Sequence, residues 1–268
     1  MAWREAVLGM DFHGALPPGE AFPLEILCVA PHPDDAELGM GGALALHADL
    51  GRRAGVLDLS GGDMASNGTP AERLAEGAAA AEVLGLCWRG NLGLPDRALH
   101  GPEAEARLAA VIRWTRPALL FVPCPEDPHP DHRAAYDLCL EAVFSAGLRR
   151  YPAAVQGGPP AAAFRPRAVL QYFINGWREP PLALDVSGVY ARKRRAVAAH
   201  ASQFGGGPVG PEAAGAVPTR LNQGQAVAQV EARDRFLGAR LGAAFAEGFI
   251  PEGTLRLADF GFVGGASG

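Results

Sequence analysis

Short apolar runs that stop abruptly at turn-forming residues alternate with stretches of helical spacing, and this alternation constrains the fold more than any other feature. Leu24 to Ala30 is an apolar run ending at Pro31, which reads as a buried strand feeding a loop. Ala36 to Leu50 carries small and apolar residues at helical spacing and stops at Gly51, the place of a C-terminal cap. Ala54 to Leu59 reads as a second buried strand, Ser60 to Pro70 as a polar loop, and Ala71 to Leu84 as a helix ending at Gly85. A further helix is predicted over Glu103 to Thr115 and a strand over Ala118 to Val122. Fully apolar strands separated by helices belong in a parallel sheet covered on both faces.

Downstream the pattern loosens. Gln156 to Phe164 reads as a long surface loop, Val169 to Ile174 and Leu182 to Val186 as shorter strands, and Tyr190 to Ser202 as a basic helix. Gly205 to Gly215 reads as a mobile loop. A last helix is predicted over Ala226 to Ala246, with Val227, Val230, Ala232, Phe236, Leu237 and Leu241 as a core-facing stripe. The 268 residues, 49% of them hydrophobic and 20% charged, suffice for the core of one domain. A net charge of -5 argues against a phosphate-backbone binder and for a small-molecule substrate. Cys28, Cys87, Cys124 and Cys139 occur singly, as expected of free thiols in a reducing compartment. Met1 to Glu20 lacks the pattern of a secretory signal, and no window approaches the roughly 20 unbroken apolar residues of a membrane span. A cytoplasmic protein is expected, with neither nucleic acid nor membrane as partner.

Open parallel sheets bind ligands beyond the carboxyl ends of their strands, and two polar clusters fall there. The first is Pro31-His32-Pro33-Asp34-Asp35, the second Asp127-Pro128-His129-Pro130-Asp131-His132. Either alone could be a turn and a helix cap. Two of them in one chain, each after a buried strand, point to a divalent metal. Catalytic zinc takes three N or O ligands from the protein and keeps a fourth position for water. No G-x-G-x-x-G follows the first strand, and Gly39-Met40-Gly41-Gly42 falls inside a predicted helix, so a nucleotide-binding module is disfavoured.

These motifs resemble the LmbE-like, or PIG-L-like, zinc-dependent N-acetylglucosamine deacetylases. That family carries a His-Pro-Asp-Asp turn after its first strand and a later His-Pro-Asp-His segment, as His32 to Asp35 and His129 to His132 do here. Ser66-Asn67-Gly68-Thr69, Asn91-Leu92 with Leu94-Pro95-Asp96-Arg97, Phe144-Ser145-Ala146-Gly147-Leu148-Arg149 and Ala246-Glu247-Gly248-Phe249 are similar to one branch of it. That branch deacetylates N-acetylglucosaminyl-malate in bacillithiol synthesis. The likeness runs through nearly the whole chain after residue 23. It implies an N-terminal extension over 1–22, a single domain over 23–268, and an α/β fold, a Rossmann-like three-layer sandwich around a mostly parallel sheet.

The resemblance further implies that His32, Asp35 and His132 bind zinc; Fe2+ and other divalent metals accept similar ligands. It makes Asp34 the general base, a role that a carboxylate beside an activated water can fill. It makes Arg73 a substrate contact, its forked guanidinium suiting a carboxylate. A homo-oligomer is implied as well, hexameric in the family. His129 is the expected donor to the developing oxyanion, with Asp131 biasing its imidazole toward the protonated form. Glu37 either orients a ligand or simply begins a helix. Pro128 and Gln225 stand where relatives carry an arginine and a tyrosine, departures that bear on substrate more than on reaction. The expected reaction is hydrolysis of the N-acetyl group of N-acetylglucosaminyl-malate, with another N-acetyl sugar conjugate as the alternative.

Overall fold

In the computed structural model, which describes residues 8–11, 21–153, 162–205 and 217–256, the alternation of the sequence becomes one sheet. β2 (Ile26–Ala30) and β3 (Ala54–Ser60) are buried along their whole length. They lie parallel at its centre, in register from Ile26 against Ala54 to Ala30 against Asp58. β5 (Leu119–Pro123) flanks β2 and β4 (Trp88–Leu94) flanks β3. With β1 (Leu8–Asp11), β6 (Ala168–Tyr172), β7 (Leu182–Asp185) and β8 (Ala246–Pro251), the order is β1-β4-β3-β2-β5-β6-β8-β7. β1, from the expected N-terminal extension, pairs in parallel with β4 at the edge. Every pairing from β1 across to β6 is parallel, and β8 runs antiparallel to both β6 and β7.

The side chains of β2 show why helices cover both faces. Leu27 and Val29 join a core built with α3 (Pro102–Thr115) and α4 (Pro130–Ala146). Ile26, Cys28 and Ala30 join a second core, built with α1 (Asp35–Asp49), α2 (Pro70–Leu84) and α5 (Tyr190–Ala199). A strand apolar at every position divides its residues by period two between two cores, and the result is the expected three-layer α/β sandwich. α2 starts at a Thr69–Glu72 capping box with Pro70 in its first turn and ends at Gly85 in the left-handed conformation.

The predicted Tyr190 to Ser202 helix breaks at His200 into α5 and a short α6 (Ala201–Phe204). α7 (Gln225–Leu241) ends before the predicted Ala246, where β8 begins. Its stripe is also corrected. Ala226, Val230 and Leu237 are buried, whereas Ala232, Phe236 and Leu241 face solvent. The buried face instead includes Asp234, which accepts Lys193 Nζ at 2.6 Å and the Tyr190 hydroxyl at 3.1 Å. The loops expected around Gln156 and Gly205 fall largely outside the described residues. Among those described, no helix is long and apolar enough to cross a membrane.

α1 is interrupted: Met40 has φ -148° and ψ 26°. Glu247 of β8, wholly buried, accepts the Gly42 N–H at 2.9 Å and the Ala43 N–H at 2.6 Å, and Lys193 Nζ donates to it at 2.6 Å. A carboxylate from another strand thus caps a second helix start inside α1. Gly39, beside the break, faces the Tyr172 ring, where a Cβ would stand 2.3 Å from a ring carbon. The glycine-rich stretch meets a packing need and is no phosphate loop.

Candidate metal centre and active site

From β2 the chain builds outward through β3 and β4 on one side, then crosses to β5 and β6 on the other, so the topological switch point lies between β2 and β5. Both His/Asp clusters leave the sheet at that point. The first forms the turn from β2 into α1. The second runs from β5 into α4, whose N-cap is His129.

His32, Asp35 and His132 meet there, all buried. Asp35 Oδ2 lies 3.1 Å from His32 Nδ1 and 3.3 Å from His132 Nε2, and all three ligand atoms fall within 4.8 Å of one another. Tetrahedral zinc with bonds of about 2.0–2.1 Å needs ligand atoms about 3.3 Å apart. Two of the three edges already have that spacing. Two imidazoles and one carboxylate, without thiolate, are the donor set of a catalytic centre with one open position.

Each of these histidines presents its other ring nitrogen to a further carboxylate. His32 Nε2 lies 3.4 Å from Asp131 Oδ2 and 3.7 Å from Asp96 Oδ1, and His132 Nδ1 lies 3.0 Å from Asp127 Oδ1. Such carboxylates fix the tautomer and orientation of a liganding imidazole and raise its basicity. Asp127 is held in turn by the N–H groups of His129 at 2.8 Å and Asn175 at 2.9 Å. Burial opposes charging of either ring, yet the carboxylates prevail and hold His32 up at about 10 and His132 up at about 9. That excess of negative charge fits a cation, which would take the place of those protons.

Asp34, the expected base, lines the same cleft. Its φ of 123° is costly for any residue with a side chain, the kind of strain found at functional sites. Arg73 Nη2 holds this turn by donating to the Pro33 carbonyl at 2.8 Å and to Asp34 Oδ2 at 3.2 Å. Burial pushes the Asp34 carboxyl up to about 6 against the pull of Arg73, which suits proton transfer near neutral pH. Arg73, the expected substrate contact, lines the cleft but is 4% exposed, with Nη2 directed at the base. Gly62, at φ +71°, makes room for it: a Cβ there would lie 1.5 Å from Arg73 Nη1.

The expected pull of Asp131 on His129 toward the protonated form is present as charge alone and is outweighed. The Asp131 backbone N–H donates to His129 Nδ1 at 3.2 Å, while its carboxylate turns to His32 and accepts Arg97 N at 3.2 Å and Nη1 at 3.4 Å. His129 stacks on His132 with ring centroids 4.5 Å apart, and burial and the two neighbouring imidazoles hold its pKa below the ordinary value. It is therefore neutral at neutral pH. With Nδ1 accepting, its proton sits on Nε2 and is available to donate. Glu37 neither orients a ligand nor merely starts α1: it is fully buried and meets Arg89 Nη1 at 2.5 Å, beneath the site. Gln225 is exposed at the start of α7, next to Ala226 in the cleft wall.

Three site residues carry roles that a sequence reading does not assign. Asp127 stands inside the second motif, Asp96 follows β4, and Asn175 follows β6. The cleft, about 580 Å³, is lined also by Met64, Ser66, Thr219, Arg220 and Leu221.

A family profile described as PIG-L, GlcNAc-PI de-N-acetylase, matches residues 27–143, the span that carries both clusters. The chain is 33% identical over 191 residues to a diacetylchitobiose deacetylase of Thermococcus kodakarensis, covering 67% of this chain and 70% of that protein. It is 32% identical over 194 residues to a 4-oxalmesaconate hydratase of Pseudomonas putida, covering 66% and 73%. The solved structure of the conserved protein TT1542 from Thermus thermophilus superposes with a TM-score of 0.75 at 38% identity, over 88% of this chain and 97% of that one.

Proposed function

Because the chain belongs to the PIG-L de-N-acetylase family, we propose that it hydrolyses the N-acetyl group of a glucosamine conjugate, N-acetylglucosaminyl-malate in particular. The observation that carries this reading is the buried His32–Asp35–His132 cluster with a second carboxylate, Asp34, braced beside it in an open cleft. A divalent ion held by that cluster, zinc in this reading and Fe2+ as the alternative, supplies Lewis acidity to the acetamide carbonyl and to water. Asp34 takes the proton of the attacking water and returns it to the amide nitrogen as the C–N bond breaks, so that acetate and a free amine leave. His129 Nε2–H donates to the carbonyl oxygen as it gains charge. Arg73 keeps Asp34 ionised and oriented. The malate conjugate is favoured by the motifs shared with the bacillithiol branch; the same resemblance extends the proposal to a cytoplasmic hexamer, a point that light scattering tests.

The test is acetate release from N-acetylglucosaminyl-malate and from N,N′-diacetylchitobiose by zinc-loaded protein and by Asp34→Ala, with metal measured on both. The variant is expected to keep its zinc and to lose about 100- to 10,000-fold in rate, the usual range for a general base. No acetate from either conjugate with full metal occupancy would overturn the malate assignment and turn attention first to other N-acetyl sugar conjugates, then to hydration, the reaction named for the Pseudomonas relative.

A further inference from the structure

We infer that Arg220 reads a carboxylate on the part of the substrate beyond the acetylated sugar, an inference that rests on the deacetylase reading of the same cleft. Three arginines line that cleft, and two are already matched with acids. Arg73 lies against Asp34 at 3.2 Å and Arg97 against Asp131 at 3.4 Å. Arg220, exposed to solvent where it lines the cleft, forms no ion pair among the described residues. Its one side-chain partner there is neutral: Nη2 donates to Gln229 Oε1 at 2.9 Å.

That partner fixes its place. Gln229 Nε2 donates to the Asn175 carbonyl at 3.0 Å, and the Asn175 N–H donates at 2.9 Å to Asp127, the carboxylate behind His132. The backbone is pinned as well, by the Ala226 N–H on the Arg220 carbonyl at 3.3 Å. A chain of hydrogen bonds thus ties the guanidinium to a metal-ligand partner while leaving its positive charge and most of its five N–H donors uncommitted. A neutral sugar has no use for such a cation, whereas a carboxylate matches the guanidinium fork in charge and geometry. Arg73, buried behind the base, is not placed to serve this end.

The experiment compares kcat/KM for N-acetylglucosaminyl-malate and neutral N,N′-diacetylchitobiose in zinc-loaded wild type, Arg220→Gln and Arg220→Lys, with metal content and melting temperature measured for each. Loss of a hydrogen bond to a charged group predicts that the anionic-to-neutral ratio falls about 10- to 100-fold in Arg220→Gln. The fall is expected in KM for the anionic substrate, with partial rescue by lysine. A ratio that does not move, or equal losses on both substrates, overturns the inference. Wild type that turns over only the neutral conjugate also overturns it and leaves deacetylation standing. Wild type that turns over neither removes the malate assignment and the inference with it.

Discussion

Replacing Asp131 by asparagine separates two roles that proximity alone would confuse. Its Oδ2 lies 3.4 Å from His32 Nε2 and 3.2 Å from the Arg97 backbone N, so an asparagine oxygen placed there still accepts both donors, while the charge and the acceptor that Arg97 Nη1 meets at 3.4 Å are lost. Loss of a carboxylate behind a metal-bound imidazole costs about 10- to 100-fold in metal affinity, or about 1.4 to 2.7 kcal/mol. Charge-assisted hydrogen bonds are about twice as strong as neutral ones. Keeping the bond without the charge therefore places Asp131→Asn near a 10-fold loss and Asp131→Ala near 100-fold. The assay is competition for zinc against a fluorescent chelator at neutral pH, followed by kcat at saturating zinc. Affinity is expected to fall in the order wild type, Asn, Ala, with a smaller change in kcat. Unchanged zinc affinity with a fallen kcat and a displaced pH profile would mean that Asp131 acts through His129, and would refute the geometry argued above.

Other perturbations address the supports of the site. Gly62→Ala sets a Cβ 1.5 Å from Arg73 Nη1 and should displace the guanidinium from Asp34, lowering kcat by about 10-fold or more while zinc content, measured by metal analysis, stays at the wild-type level. Glu247→Ala strands the Gly42 and Ala43 N–H groups and takes one of two carboxylates from Lys193; urea unfolding should show about 3 kcal/mol of destabilisation, the low end for a broken buried pair because Asp234 still holds the cation. Burial opposes the ionised form of Glu37, but Arg89 and His200 prevail and set its pKa at about 2 against an ordinary 4.5. Its contribution to stability is then present above pH 4.5 and lost as the pH falls toward 2; Glu37→Gln should flatten that part of the stability profile in urea titrations, and an unaltered profile would exclude this source.

What the sequence makes legible depends on how locally the physics is written. β2, β3 and β5 are buried on both faces, so continuous apolar runs announce them, and the His/Asp clusters follow two of them directly. β4 escapes because Arg89 and Asn91 interrupt it. Arg89 is tolerated there because Asp58 of β3 and Glu37 of α1 reach it from distant segments, an arrangement invisible to any local pattern. The stripe on α7 is misread for the same reason, since Asp234 on its buried face is matched by Lys193 of α5. α4 did carry a signal, with Pro130 at its start and Ala135, Leu138, Cys139 and Ala142 at helical spacing, but the polar cluster in its first turn masks it.

The same distinction separates ligands from the residues that orient them. His32, Asp35 and His132 are fixed by two contiguous motifs, and the geometry brings together the set that the family resemblance implies. Asp131 stands two residues from His129 but, because the α4 N-cap turns its backbone N–H toward that ring, its carboxylate is free to face His32, 99 positions earlier. Arg73 shows the converse: its charge is the one expected, but Gly62 opens a berth that draws it behind Asp34. Which charge a side chain carries is read from its letter; which partner it serves is set by turns and caps, and these depend on residues far along the chain. The break in α1 makes this concrete. Asp34 and Asp35 sit on a stub of helix that ends at Met40, and the helix restarts under Glu247, more than two hundred residues away. A substitution in β8 should therefore reach the candidate metal centre through α1, without touching His32, Asp35 or His132.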